Sequence, residues 1–225
     1  MKKAGYIILI LFAFWSCQKT DEDTFDAGYN YFPIQTGYYT IFKVQEYTYD
    51  DFTSTIDTNI YLLKEKFDSS FTDGEGRNAY LLKRYTKADV DSITDWKLVD
   101  VWTAYKGKDQ AERFEENVTF IKLIFPLKRN KSWDGNAKND SLSQIYKVLD
   151  YDLKEAYGGK TFMQTCRINQ YENKNLIEDE LSEEVYARDF GLVFKVMRKL
   201  SLNPADSSIV KGYDYTWTYK ESGLE

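Results

Sequence analysis

Apolar and polar residues alternate along much of the chain, which is typical of β-strands that bury one face. In residues 213–219, every odd position is aromatic and every even position is aspartate or threonine, so we expect Trp217 in the core. Residues 190–202 follow a similar pattern, interrupted by Arg198. Further candidate strands cover residues 38–49, 55–67, 79–86, 97–105, 118–125, 144–151 and 161–171. The pattern therefore predicts about nine strands.

Residues suited to tight turns separate these candidate strands. Glycine, asparagine, aspartate or proline occurs at residues 73–76, 106–109, 133–136, 157–160 and 203–206. Short turns between successive strands indicate antiparallel hairpins. Many of the candidate strands exceed the usual length of about five or six residues, and long successive strands twist and curl. We therefore predict an all-β, mainly antiparallel fold whose sheet curls into a half-barrel or a barrel-like form.

One segment fits two kinds of secondary structure. In Asn175 to Tyr186, the apolar residues Ile177, Leu181 and Val185 recur at helical spacing among acidic residues, which favours a short helix. The same segment leads directly into the next candidate strand across a turn, which favours an edge strand. The pattern supports both interpretations.

The first seventeen residues have the pattern of an export leader. A basic start precedes an apolar run over residues 6–15, which ends at Ser16 and Cys17. The run is shorter than the roughly 20 apolar residues that a membrane-spanning helix needs. We expect residues 1–16 to be removed as a signal peptide, which leaves Cys17 at the mature N-terminus.

The junction of Ser16 and Cys17 resembles the lipobox of bacterial lipoproteins, although Phe14 and Trp15 differ from the residues usual there. The resemblance implies that Cys17 carries acyl chains. Because stable anchoring takes two or more chains, a lipoprotein cysteine ties its domain permanently to a membrane. The implied partner is thus the lipid bilayer. Residues 17–28 would form a flexible acidic tether, and residues 29–225 a single antiparallel β domain.

The charge of the chain excludes one class of partner. Of the 30 basic side chains, two lie within residues 1–16, so 28 remain against 36 acidic ones, a formal charge of −8. Such a charge repels phosphate backbones, and we therefore expect no nucleic-acid partner.

The chain contains no histidine and two cysteines. The commonest general base and the commonest transition-metal ligand are thereby missing, so many hydrolase mechanisms are excluded. With Cys17 used for lipid, no intramolecular disulfide can form. Cys166 lies in step with Phe162 and Ile168, and we expect it to be a buried, unreactive thiol.

Two groups of oxygen-bearing side chains are candidates for metal binding or catalysis. Residues 134–140 place oxygens at alternate positions, as a calcium loop does, but Lys138 occupies a ligand position and no closing glutamate follows. We interpret this loop as a polar turn and predict no metal. Carboxylates pair at residues 115–116, 178–180 and 183–184, yet neighbours in a strand face opposite ways, so we interpret them as solvated surface.

Aromatic residues make up 17% of the chain, enough to line a ligand site as well as a core. Most of these rings are expected to fill the sheet's own core. Trp133 lies beside a turn, and loops carry many binding residues. It is therefore the candidate for an exposed ligand contact.

Three further blocks, at residues 31–37, 125–136 and 186–195, resemble segments of uncharacterised Bacteroidota outer-membrane lipoproteins. The acidic tether resembles theirs as well. The resemblance implies an outer-membrane, lipid-anchored protein that is exposed at the surface or faces the periplasm, and it implies no activity.

We predict a non-catalytic envelope lipoprotein with a binding or structural role and no cofactor. One alternative is a carrier of a lipid or another hydrophobic ligand in a half-barrel groove. Another is a carbohydrate-active enzyme, which requires two carboxyl groups in one cleft. The sequence does not identify a protein or glycan partner.

Overall fold

The computed structural model describes residues 25–89 and 95–225. They form a one-turn 3-10 helix, Tyr29–Tyr31, and twelve strands. The first six strands are β1 (Tyr38–Tyr49), β2 (Ile56–Thr72), β3 (Asn78–Ala88), β4 (Lys97–Lys106), β5 (Gln110–Glu115) and β6 (Val118–Ile124). The other six are β7 (Ser132–Asp134), β8 (Ile145–Tyr157), β9 (Lys160–Lys174), β10 (Glu178–Ala187), β11 (Gly191–Leu202) and β12 (Ile209–Leu224).

All twelve strands belong to one antiparallel sheet in the order β6-β5-β4-β3-β2-β1-β12-β11-β10-β9-β8-β7. Each half of the chain is a meander of six strands, and the pairing of β1 with β12 joins the two halves. Within each half, every strand pairs with the next strand along the chain, and the sheet twists and curls. The predicted all-β, antiparallel, barrel-like fold is confirmed.

The two edges of the sheet meet, so that the curled sheet is nearly closed. The backbone N–H of Ile121 in β6 donates to the carbonyl of Gly135, just after β7, at 2.9 Å. The indole N–H of Trp133 donates to the carbonyl of Ile121 at 2.8 Å, and the amide of Asn139 donates to the carbonyl of Thr119 at 2.7 Å. Most of the bonds across this seam come from side chains, whereas all other neighbouring strands share a backbone ladder.

The structure has twelve strands where about nine were predicted, and each additional strand was missed for a physical reason. In β5, the neighbouring charged residues Glu112 and Arg113 are both buried, so the strand does not show the alternation of polar and apolar residues that predicts a strand. Strand β7 has three residues, too few to show a period. Strand β10 is the segment that supported a helix or an edge strand; it is a strand, and it lies between β9 and β11.

The main core fills the inside of the curled sheet. The one-turn helix inserts there, with Tyr31 beside Tyr151 at a ring distance of 5.6 Å and Phe32 beside Tyr186 at 6.3 Å. Trp217 is buried, as predicted. The other buried members are Phe42, Val44, Leu63, Phe67, Leu82, Ala104, Ala111, Ile121, Leu123, Phe125, Leu127, Trp133, Tyr146, Val148, Cys166, Ile168 and Leu192.

The described end of the predicted tether contacts the sheet. The carboxylate of Asp26 pairs with the guanidinium of Arg188, and the carbonyl of Ala27 accepts the N–H of Leu127 at 3.0 Å. Residues 26 and 27, near the end of the predicted tether, thus contact the segments that follow β10 and β6. Residues 1–24, which include Cys17, lie outside the described residues.

The turn between β8 and β9 packs on β12 through a glycine. A Cβ atom built on Gly158 would lie 1.7 Å from the carbonyl oxygen of Tyr219, whereas one built on Gly159 meets nothing within 4 Å. Both glycines have positive φ, 58° and 80°. Beside this turn, the ammonium group of Lys160 lies 3.9 Å from the ring centre of Phe190, a cation–π contact.

Gly158→Ala is therefore expected to lower the free energy of unfolding by about 3 kcal/mol, the sum of left-handed backbone strain and overpacking. Gly159→Ala carries the backbone strain alone and should cost about 1 kcal/mol. Urea unfolding of both variants measures the difference. Equal losses would show that the turn does not pack on Tyr219 as described.

Candidate functional site

A groove of about 1060 Å³ runs along the inside of the sheet and is open to solvent. One wall carries Glu115, Phe120 and Lys122 from β5 and β6, and the other is formed by β8 to β12 together with residues 142–144. The two walls belong to different halves of the sheet, so closure of the sheet brings them together. The volume is at the upper end of the range for small-molecule sites, about 300 to 1,000 Å³.

Buried ion pairs lie at the floor of the groove. The ammonium group of Lys122 donates to Oε1 of Glu184 at 2.6 Å, and the hydroxyl of Tyr186 donates to Oε2 at 2.6 Å. Lys195 stands 3.6 Å from the same Oε1, and Glu115 stands 3.8 Å from Lys122. Two ammonium groups thus face two carboxylates, and the cluster is neutral.

The floor carboxylates stay ionised. Burial alone would raise the pKa of Glu184, but Lys122 and Lys195 outweigh burial and lower the pKa to about 2. The same two lysines lower the pKa of Glu115 against its burial. Burial would likewise lower the pKa of Lys122, and the two carboxylates raise it instead.

The floor therefore brings two carboxylates together without supplying a general acid. Glycoside cleavage needs one carboxyl group that keeps its proton, which requires a raised pKa. The pKa values of Glu184 and Glu115 are both lowered instead. The floor is suited to holding a ligand's polar groups by hydrogen bonds to fixed charges, not to proton transfer.

The mouth of the groove is mostly apolar and exposed. Leu142 is 92% exposed and Ile145 59%, and the rings of Tyr171 and Tyr213 are also exposed. Charged side chains between them are largely paired, as in the contact of Lys199 with Glu180 at 3.1 Å. The groove thus combines an apolar mouth with a polar, ion-paired floor.

One amide group on the β9 wall has a donor without a partner. The side chain of Gln170 is only 6% exposed, and its Oε1 accepts the hydroxyl of Ser182 at 2.8 Å. Nε2 of Gln170 is buried and has no hydrogen-bond partner among the described residues. A buried donor without an acceptor is costly, so this group favours a ligand that supplies one.

A second buried charge cluster lies deeper in the sheet. Glu65 pairs with Arg113 at 2.9 Å and with Arg84 at 3.4 Å, and Arg84 also pairs with Asp100 at 2.7 Å. The guanidinium of Arg84 stacks over the ring of Trp102 at 3.7 Å. These groups do not line the groove.

The structure places Trp133 in the core and not at the surface. Its ring is 9% exposed, packs edge-on to Tyr146, and binds the carbonyl of Ile121 through the indole N–H. The predicted exposed contact is wrong because the turn beside Trp133 folds over the closing seam of the sheet. Cys166 is buried as predicted, and burial raises the pKa of its thiol to about 12.

The expectation for one group of carboxylates is wrong, and a polar turn is found where one was predicted. Glu184 and Glu115 are not solvated surface; they pair with Lys122 at the groove floor. In residues 134–140, the side chain of Asp134 accepts the backbone N–H groups of Asn136 and Gln144. Its oxygen therefore shapes the loop, as a polar turn requires. Within residues 25–89 and 95–225, no group of three histidine, cysteine or acidic residues is arranged to hold a metal.

The groove residues gave little signal in the sequence. Lys122 and Lys195 each stand in a strand between apolar neighbours, and Glu184 follows another glutamate; such charges are normally assigned to the solvent face. A charged residue inside an otherwise apolar run, as Lys122 is in residues 120–125, is the one signal that was present.

No family model matches the chain, and no curated protein matches it. Among solved structures, it is similar to a protein of Parabacteroides distasonis described as a "putative lipoprotein", with 11% sequence identity and a TM-score of 0.41. The similarity covers 86% of this chain and 98% of that one. None of the helices in the described part of the chain is long and apolar enough to cross a membrane.

Proposed function

We propose that this protein is a lipid-anchored envelope protein that binds an amphipathic ligand in the groove and performs no chemistry on it. The observation that carries the proposal is the groove itself: about 1060 Å³ of open space between an apolar mouth and an ion-paired floor. A sheet that served only as a scaffold would gain stability by filling this space with side chains, because unfilled volume forfeits packing contacts.

The location rests on the leader. Acyl chains on Cys17 would hold the domain at a membrane, and a bacterial outer membrane is the location that the resemblance of the leader and tether implies. An anchored domain stands where amphipathic molecules are concentrated. A binding or carrier role for a lipid-like ligand agrees with both the anchor and the groove.

The test uses a form that begins at residue 18, which keeps every strand and the one-turn helix. Its tyrosine and tryptophan signals report folding, and the uncharged probe N-phenyl-1-naphthylamine reports apolar binding by its fluorescence. Met197 lines the groove, and Met163 is 67% exposed and does not. Met197→Trp should fill the groove and weaken probe binding at least about tenfold, which is about 1.4 kcal/mol.

Met163→Trp is the matched control, because it makes the same substitution outside the groove. It should leave the affinity for the probe unchanged. Equal affinities of the two variants, or no binding by the unsubstituted chain, would contradict a ligand site in the groove.

A further inference from the structure

The charges of the groove floor restrict the head group of the ligand. Lys122 and Lys195 face Glu184 and Glu115, so the floor is neutral before any ligand arrives. An anionic or cationic head would leave an unbalanced charge in a poorly solvated site, which is unfavourable. An uncharged head can accept from the ammonium groups and donate to the carboxylates without changing this balance.

The wall of the groove favours a ligand that carries hydrogen-bond acceptors. Nε2 of Gln170 is a buried donor without a partner, and the side chain of Gln170 is fixed by the hydroxyl of Ser182. A hydroxyl group both accepts and donates, so it can pair with this amide and with the floor at once. The flat faces of Tyr171 and Tyr213 near the mouth suit an apolar chain or the apolar face of a sugar ring.

We infer that the ligand is an amphiphile with an uncharged head rich in hydroxyl groups, of the glycolipid class, whose head lies on the ion-paired floor and whose apolar chain lies at the mouth. This inference rests on the proposed function and adds the chemistry of the head. The inference differs from simple uptake of any apolar molecule, because it requires the charged floor and the Gln170 amide to select among head groups.

Three amphiphiles with the same twelve-carbon chain test the selection. The form that begins at residue 18 is titrated calorimetrically, below the micelle concentration, with dodecyl maltoside, laurate and dodecyltrimethylammonium. Dodecyl maltoside should bind at least about tenfold more tightly than either charged amphiphile. Tighter or equal binding of laurate or dodecyltrimethylammonium would overturn the inference and leave groove binding intact. Absence of binding by all three would overturn the proposed function as well.

A matched pair of substitutions tests the role of the Gln170 amide. Gln170→Met removes the unpaired donor, whereas Gln144→Met removes a groove amide that already donates to the backbone carbonyl of Gln170 at 3.2 Å. Gln170→Met should weaken dodecyl maltoside binding about three- to tenfold, the worth of one hydrogen bond, and weaken N-phenyl-1-naphthylamine binding less, because this apolar probe does not depend on that bond. Gln144→Met should weaken maltoside binding less. An equal loss in both variants, or no loss in Gln170→Met, would overturn the role of Gln170.

Discussion

Lys122→Met is expected to lower the free energy of unfolding by about 4 kcal/mol, because it leaves the buried carboxylate of Glu184 without its closest cation. Lys195 stands farther away, at 3.6 Å, and Tyr186 supplies a neutral hydrogen bond only. A buried charge that loses its partner bears most of its desolvation cost. Urea unfolding of the form that begins at residue 18 measures the loss.

Two comparisons separate this effect from a general loss of packing. Adding Glu184→Leu to Lys122→Met removes both charges, and the double variant should be more stable than Lys122→Met alone. Lys199→Met breaks the exposed pair with Glu180 and should cost less than about 1 kcal/mol. If Lys122→Met costs no more than Lys199→Met, or if the double variant loses the sum of its single effects, the buried pair is not the support of the groove floor.

Cys17→Ala is expected to abolish acylation and to leave the chain either soluble or with residues 1–16 unprocessed, because the thiol that would carry the acyl chains is absent. Cell fractionation and incorporation of labelled palmitate measure retention and acylation together. Cys166→Ala is the matched control: this cysteine is buried in the core, so its replacement should leave both measurements unchanged. Unchanged retention of Cys17→Ala with normal removal of residues 1–16, or unchanged labelling by palmitate, would contradict the lipid anchor.

Much of the fold could be predicted because long strands with one apolar face carry a strong two-residue period. Strand β12 shows this best, since its aromatic residues alternate with threonine and aspartate up to Tyr219. The signal fails where a strand buries charge, as β5 does with Glu112 and Arg113. It also fails in β10, where irregular pairing at Ser182 and at Val185 interrupts the alternation and leaves apolar residues at helical spacing.

The groove could not be predicted, because its parts meet only when the sheet curls. Lys122 and Glu184 are 62 residues apart, and their strands lie in different halves of the sheet. Adjacent carboxylates such as Glu183 and Glu184 look alike in the sequence, yet Glu183 pairs with Arg167 while Glu184 lies beneath the groove. The prediction that Trp133 is exposed was wrong for a related reason. Its turn folds over the seam that forms only when the two edges of the sheet meet.

Ligand occupancy of the groove is tested most directly by native mass spectrometry of the mature protein, extracted from its own membranes in a mild detergent. The unsubstituted protein and Met163→Trp should carry an amphipathic adduct beyond the acyl chains on Cys17, and Met197→Trp should lack it. An adduct retained equally by Met197→Trp, or absent from all three proteins, would contradict a bound ligand in the groove.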